Sequence, residues 1–175
     1  MQLQELYFER PQGLQATAPP ETHGLARDQV RLLVSTPDGH RHTHFNKLAD
    51  HLRPGDLLVV NRSATLPASL PAVAAVGHFR LNLSTNYGKG LWLAEPRWSA
   101  DRPGPLPLAA GEIIAVAGTH ARMVAPYPGA PRLWFVQTDP DLCLMLNQVG
   151  SPIRYGYVAD DHGLDNYQTL FARVP

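Results

Sequence analysis

Three short stretches of this sequence carry side chains able to grip a charged or nucleoside-like ligand. Arg27-Asp28-x-x-Arg31 sets two guanidinium groups and a carboxylate at the mouth of what reads as the first strand. Arginine forks bind carboxylates and phosphates at two points, so ligand binding is one reading; a salt-bridged loop that anchors the strand is the other. Asn61 ends the apolar run Leu57-Leu58-Val59-Val60, which reads as a strand buried on both faces. α/β folds place ligand-binding groups at the carboxyl ends of such strands, although an asparagine here also completes a turn into Arg62-Ser63. Tyr167-Gln168-Thr169 offers a phenol, an amide and a hydroxyl within three residues. That set can read a nucleoside or simply supply strand polarity.

Other constellations are looser. His40-x-His42-x-His44 puts three imidazoles on one face of a strand, consecutive ones about 6–7 Å apart, and two so placed can ligate one metal. A metal site would still need a further ligand and an ordered surround, and an exposed hairpin arm that happens to carry histidine is the alternative. Arg80, Arg97, Arg102 and Arg122, with Trp92 and Trp98 near them in sequence, could form a basic and aromatic surface for RNA or be scattered barrel surface. Cys143 sits in an apolar helical stretch and reads as a buried structural thiol. The sequence has no glycine-rich phosphate loop, no Gly-x-Ser-x-Gly elbow and no paired acidic motif of hydrolase type.

These groups must be positioned by short strands and many turns, because 17 prolines and 14 glycines in 175 residues leave little room for long helices. Residues 1–30 read as loop. Arg31–Ser35 and His40–Phe45 read as a hairpin turning at Pro37-Asp38-Gly39, followed by a helix over Lys47–Leu52 capped by Asn46. Residues 64–76, small and proline-punctuated, read as a passage between subdomains. A meander follows: Phe79, Leu81 and Leu83 alternate with polar residues, and Asn86-Tyr87-Gly88 turns the chain toward Leu91-Trp92-Leu93. Residues 96–110 read as a loop, and Glu112–Ala117, Arg122–Ala125 and Arg132–Gln137 as three more strands of a small antiparallel barrel. A helix capped by Asp139, with Pro140 at its first position, runs to Gly150.

Arginine plus lysine equals aspartate plus glutamate, 15 each, so no overall basic excess announces a nucleic-acid binder. One cysteine excludes a disulfide framework, no basic-then-apolar leader opens the chain, and no apolar run nears the roughly 20 residues that cross a bilayer. The expectation is a reduced, soluble, cytoplasmic protein with no membrane partner. The dense polar and aromatic tail, Asp165 to Pro175, has no clear stop, and reads as the front part of a longer enzyme cut soon after Tyr167-Gln168-Thr169.

Taken in order, these pieces resemble one family. Phe8-Glu9, Pro11, Leu14 and Ala16 begin the likeness, followed by Pro20-Glu21 and Arg27-Asp28-x-x-Arg31-Leu32-Leu33-Val34. His44-Phe45-x-x-Leu48, Leu52-x-Pro54-Gly55-Asp56-Leu57-Leu58-Val59-x-Asn61, Leu66-Pro67-Ala68-x-Leu70 and Tyr167-Gln168-Thr169-x-Phe171-Ala172 complete it. The chain resembles the N-terminal half of S-adenosylmethionine:tRNA ribosyltransferase-isomerase, the queuosine-pathway enzyme, with the meander of residues 75–150 agreeing only in pattern. The fold implied is α+β and β-rich: part of an α/β catalytic domain (1–70), an inserted small antiparallel β-barrel (71–150) and a return to the catalytic domain (151–175).

The reaction implied moves the ribosyl part of S-adenosylmethionine, a co-substrate, onto the aminomethyl group of a 7-deazaguanine base in tRNA. Isomerisation then gives the epoxycyclopentanediol of epoxyqueuosine, with adenine and methionine released and no metal required. The resemblance carries substrate or co-substrate contacts to Arg27, Asp28, Arg31, Asn61, Tyr167, Gln168 and Thr169, and assigns no catalytic base. The implied partner is tRNA and the expected state a monomer. The family reads serine at Val30, Asp-Thr and a basic residue after its asparagine where Arg62-Ser63-Ala64 stands, and arginine at Ser69. These departures leave open a divergent paralogue, a weakened or inactive one, an active enzyme with compensating charges elsewhere, or a non-catalytic barrel that binds RNA or protein.

Overall fold

The computed structural model of the protein describes residues 7–99, 102–138, 142–158 and 160–173. It is β-rich and divides into two compact units, Met1–Leu58 with Val158–Asp160, and Val59–Tyr157 with Asp161–Pro175.

The first unit is built on an antiparallel hairpin of β1 (Arg31–Thr36) and β2 (Gly39–His44). Thr36 pairs with Gly39, so the loop is the two residues Pro37-Asp38 that the sequence marks as a turn. Leu32 and Val34 are half-buried on one face, and the Phe45 N–H, donating to the Val30 carbonyl at 2.9 Å, closes the open end. The helix expected over Lys47–Leu52 is a 3-10 helix over Phe45–His51. Asn46 is not its cap; His44 stands at that position with no side-chain hydrogen bond. Short 3-10 turns suit this region because three-residue periodicity eclipses side chains and rarely propagates.

Leu57–Val60 is not a buried strand. Leu57 is 87% exposed and Val59 82%, and no strand lies beside them among the described residues. An apolar run becomes a buried strand only where a neighbouring ladder satisfies its N–H and C=O groups, and here none does.

The second unit is a closed six-stranded antiparallel barrel in the order β3-β4-β5-β8-β7-β6. Its strands are β3 (Ser69–Ala74), β4 (Gly77–Gly88), β5 (Leu91–Arg97), β6 (Ile113–Val116), β7 (Thr119–Tyr127) and β8 (Ala130–Thr138). β3 falls inside the stretch expected to be a passage between subdomains. Leu70 and Ala72 point into the core, while Pro71 faces outward and its carbonyl accepts the Ala117 N–H at 3.0 Å. The turn expected at Asn86-Tyr87-Gly88 is still strand: two register shifts let β4 continue, and Gly88 pairs with Leu91 around Lys89-Gly90. Both loop residues have positive φ, 52° and 74°, as a tight two-residue hairpin turn requires.

Alternate residues of each strand fill the barrel: Phe79, Leu81 and Leu83 of β4 meet Ile114, Val116, Ala121, Met123 and Val136 from across it. The proline-rich loop contributes to the same core through Leu106 and Leu108. Helix α1 (Leu142–Val149) lays Leu142 and Leu146, one turn apart, against that core. Cys143, one position round the helix from Leu142, is exposed and not the buried thiol expected. Asp139 and Pro140, its expected cap and first residue, lie outside the described residues.

Candidate functional site

In the second unit the tail folds back on the segment that follows Asn61. The Gln168 side chain accepts the Thr65 N–H at 2.7 Å and donates to the Thr65 carbonyl at 2.9 Å, so its amide completes a two-bond backbone clip. The Thr65 hydroxyl donates to the Tyr167 carbonyl at 3.0 Å, and the Arg173 N–H to the Arg62 carbonyl at 2.9 Å. Residues 62–65 and 167–173 are thereby held side by side, which brings Tyr167, Gln168 and Thr169 next to the stretch headed by Asn61. Asn61 itself is exposed, and its Oδ1 accepts the Ser63 N–H at 2.8 Å, the asparagine turn that its sequence position allows.

The Tyr167 hydroxyl is buried with no hydrogen-bond partner among the described residues. Burial pushes its phenol above the ordinary value; Arg154 acts the other way and Asp161 adds to the rise.

Arg27, Asp28 and Arg31 belong to the first unit. Arg27 Nε donates to Glu21 Oε1 at 2.6 Å, and that hydrogen bond holds the Glu21 carboxyl below its usual range. Asp28 is half-buried in the 3-10 turn Arg27–Gln29, and Arg31 is exposed as the first residue of β1. His40, His42 and His44 lie exposed along β2, and among the described residues no three metal-capable side chains are gathered into a site.

A more enclosed constellation lies on the outer wall of the barrel. Strand alternation that sends Phe79, Leu81 and Leu83 inward sends Arg80 and Asn82 outward, where solvent would be expected. Instead the chain leaving α1 crosses over them, anchored by an isolated bridge between Ser151 and Ser69. Asn82 is left only 7% exposed and Arg80 half-buried, beside a cleft of about 330 Å³. Arg97, Trp98, Arg154 and Asp161 also line it.

Arg80 Nε donates to the Ser69 hydroxyl at 3.0 Å, and its Nη2 to the Ser69 carbonyl and the Ser151 hydroxyl. Burial pulls the Arg80 guanidinium below its ordinary value, Arg154 nearby pulls it further, and Asp161 works the other way. Arg154 and Asp161 approach to 4.0 Å, and the Asp161 side chain is largely exposed.

Of the expected basic and aromatic surface, the cleft gathers Arg80, Arg97 and Trp98, with Arg102 stacked 4.9 Å from the Trp98 ring centroid. Trp92 is not part of it: the ring is buried in the barrel core. Arg122 is exposed on β7, which does not neighbour β4. Asn82, Arg154 and Asp161 were missed by sequence reasoning. The alternation that turns Asn82 outward was readable, but the crossing chain that buries it was not.

Fold and cleft together define a β-rich, barrel-bearing protein whose barrel presents a cationic groove. A family model described as queuosine biosynthesis protein matches residues 3–175, and the chain belongs to that family. It is 31% identical over 189 residues to the S-adenosylmethionine:tRNA ribosyltransferase-isomerase of Anaeromyxobacter dehalogenans strain 2CP-1, covering 100% of this chain and 51% of that protein. An enzyme of the same name from Thermus thermophilus is 33% identical over 157 residues, covering 85% and 45%. That from Rubrobacter xylanophilus is 35% identical over 179 residues, covering 100% and 50%. The chain thus spans about half the length of the curated relatives it matches. Among solved structures, an S-adenosylmethionine tRNA ribosyltransferase from Thermotoga maritima matches with a TM-score of 0.39 at 24% identity, over 81% of this chain and 47% of that one.

Proposed function

We propose that this chain supplies the N-terminal half of a transferase-isomerase that moves the ribosyl moiety of S-adenosylmethionine to a 7-deazaguanine base in tRNA. The product is epoxyqueuosine, and adenine and methionine leave. The observation that carries this is a family match running from residue 3 to residue 175, joined to relatives of that name over 30% identical along the whole chain. In this reading Arg27, Asp28, Arg31, Asn61, Tyr167 and Thr169 contact substrate or co-substrate. Gln168, whose amide is spent on the Thr65 backbone, acts by holding Tyr167 and Thr169 in place. The barrel, expected over 71–150 and beginning with β3 at Ser69, is then an insertion in the sequence of the catalytic domain.

One departure from the family pattern has a physical counterpart. Where the resemblance expects arginine, Ser69 stands, and the Arg80 guanidinium of the neighbouring strand reaches it, its Nε donating to the Ser69 hydroxyl at 3.0 Å. A positive charge next to Ser69 thus comes from the neighbouring strand, the kind of compensating charge that an active enzyme would need. The test is adenine release from S-adenosylmethionine by the full-length gene product with tRNA bearing the aminomethyl-deazaguanine precursor. Release that depends on that tRNA is the expected result. None, under conditions where an established family member works, leaves a non-catalytic RNA- or protein-binding barrel or an inactive paralogue.

A further inference from the structure

The cleft over β4 is more costly than a structural salt-bridge site would be. Arg80 and Arg97 are direct cross-strand partners, and like charges opposite each other destabilise a sheet. Arg154 adds a third guanidinium, against Asp161 as the one carboxylate among the described lining residues. Glu95, nearby on β5, is already shared between Arg97 at 3.4 Å and Arg132 at 3.7 Å. Among the described residues the hydrogen-bond partners of Arg80 are neutral: two serine hydroxyls and a carbonyl. They engage Nε and Nη2, leaving both Nη1 N–H groups without a partner among the described residues.

Arg80 is a half-buried guanidinium with no carboxylate bonded to it, and only the largely exposed Asp161 acts on it from the cleft rim. Such a group is stabilised when an anion enters, because the low-dielectric wall that penalises the bare cation strengthens its attraction to the anion. One further group asks for something besides negative charge. Asn82 Oδ1 is buried without a hydrogen-bond partner, so it lacks a donor.

We propose that this cleft binds the backbone of an RNA strand, one phosphate seated between Arg80 and Arg154, the adjoining ribose hydroxyl donating to Asn82, and a neighbouring base laid on Trp98. A phosphodiester supplies the anion, and the 2′-hydroxyl beside it supplies the donor that Asn82 lacks and that DNA does not carry. Trp98 packs against the barrel core and carries Arg102 at its ring, so a base stacks there by taking the place of that guanidinium. Stacking on such a platform tolerates any sequence. Tyr155 and Tyr157, exposed and stacked on each other at 5.6 Å immediately after Arg154, extend the aromatic surface along the chain. The proposal rests on the tRNA reading above only in naming tRNA as the source of the strand.

The experiment is fluorescence anisotropy of a labelled single-stranded RNA oligonucleotide on the purified protein across a salt series, with circular dichroism confirming each variant folded. Arg154→Ala, which removes only a 4.0 Å ion pair to the largely exposed Asp161, is expected to weaken binding about tenfold and to lower the log–log salt slope by about 1. Trp98→Ala is expected to weaken binding by about tenfold with the slope unchanged. Arg122→Ala, on a wall away from β4, is expected to change neither.

Unaltered affinity and slope in folded Arg154→Ala overturns the proposal. So does an equal loss in Arg122→Ala, which would mark diffuse charge in place of a site. Competition by inorganic phosphate or by DNA of the same sequence as effective as by the RNA overturns the RNA assignment. The adenine assay separates this proposal from the proposed reaction. RNA binding that depends on Arg154 and Trp98 without adenine release sinks the reaction alone. Adenine release with an undiminished apparent affinity for tRNA in full-length Arg154→Ala sinks the cleft alone.

Discussion

Tyr167 is fixed by its neighbours and not by its own hydroxyl: Gln168 and Thr65 hold the backbone on either side, while the phenol is buried unpartnered. Removing an unsatisfied buried hydroxyl relieves a desolvation cost, so Tyr167→Phe should leave stability unchanged or raise it by up to about 1 kcal/mol. The pH dependence follows from the direction of the shift. A phenol whose pKa rises on folding holds its proton more tightly when folded, so its contribution is complete below the unfolded value near 10.0 and is lost as pH climbs through the folded one. Urea midpoints of the two proteins, compared between pH 8 and pH 11, should diverge above about pH 10, with the wild type falling more steeply. Superimposable curves would show that the phenol does not sense its burial. If Tyr167 also contacts a substrate, as proposed, the same variant of the full-length enzyme keeps its fold and loses adenine release.

The junction between α1 and β3 makes an element-scale prediction. A Cβ on Gly150 would collide with the backbone carbonyls of Pro67 and Leu146, neither of which is a flexible tip that can swing aside. Gly150→Ala should therefore cost about 2 kcal/mol or more, read as a lowered thermal midpoint. Leu57→Gln with Val59→Thr should shift stability by no more than about 0.5 kcal/mol, because both side chains are exposed. These two cases mark what the sequence made legible. Phe79, Leu81 and Leu83 announced β4 because period-two alternation is a local property, and Pro37-Asp38-Gly39 announced its hairpin for the same reason. Leu57–Val60 misled because burial depends on a partner strand, which the run itself does not encode. The turn at Lys89-Gly90 was missed because two register shifts carry β4 through Asn86-Tyr87-Gly88, residues that by type alone favour a turn. Of the site, Gln168 and Arg80 were visible as residues, but their partners Thr65 and Ser151 lie 103 and 71 positions away. No spacing rule reaches that far.

At the scale of the molecule, the two units differ in what can protect them. Among the described residues of the first unit none is fully buried, and its sheet is a single two-stranded hairpin. Hairpins of that size are marginal in water without a face to pack against. The second unit closes its ladder into a barrel with no free edge and buries Leu70, Leu81, Ile114, Val116, Met123 and Val136 completely. Local opening free energies track buried contacts, so amide hydrogen exchange should be uneven along the chain. Amides of β1 and β2 are expected to exchange through local opening at rates insensitive to core mutation. Those paired between β4 and β5 should exchange only by opening the barrel. Leu81→Ala, which empties the centre of that core, should cost about 2–5 kcal/mol. It should accelerate exchange in β4, β5, β7 and β8 together, by a common factor, while leaving β1 and β2 where they were. Hydrogen exchange read by mass spectrometry on peptic fragments decides this. Acceleration of the β1–β2 peptides by the same factor would mean that the chain opens as one cooperative body, and that the hairpin draws its stability from the barrel core.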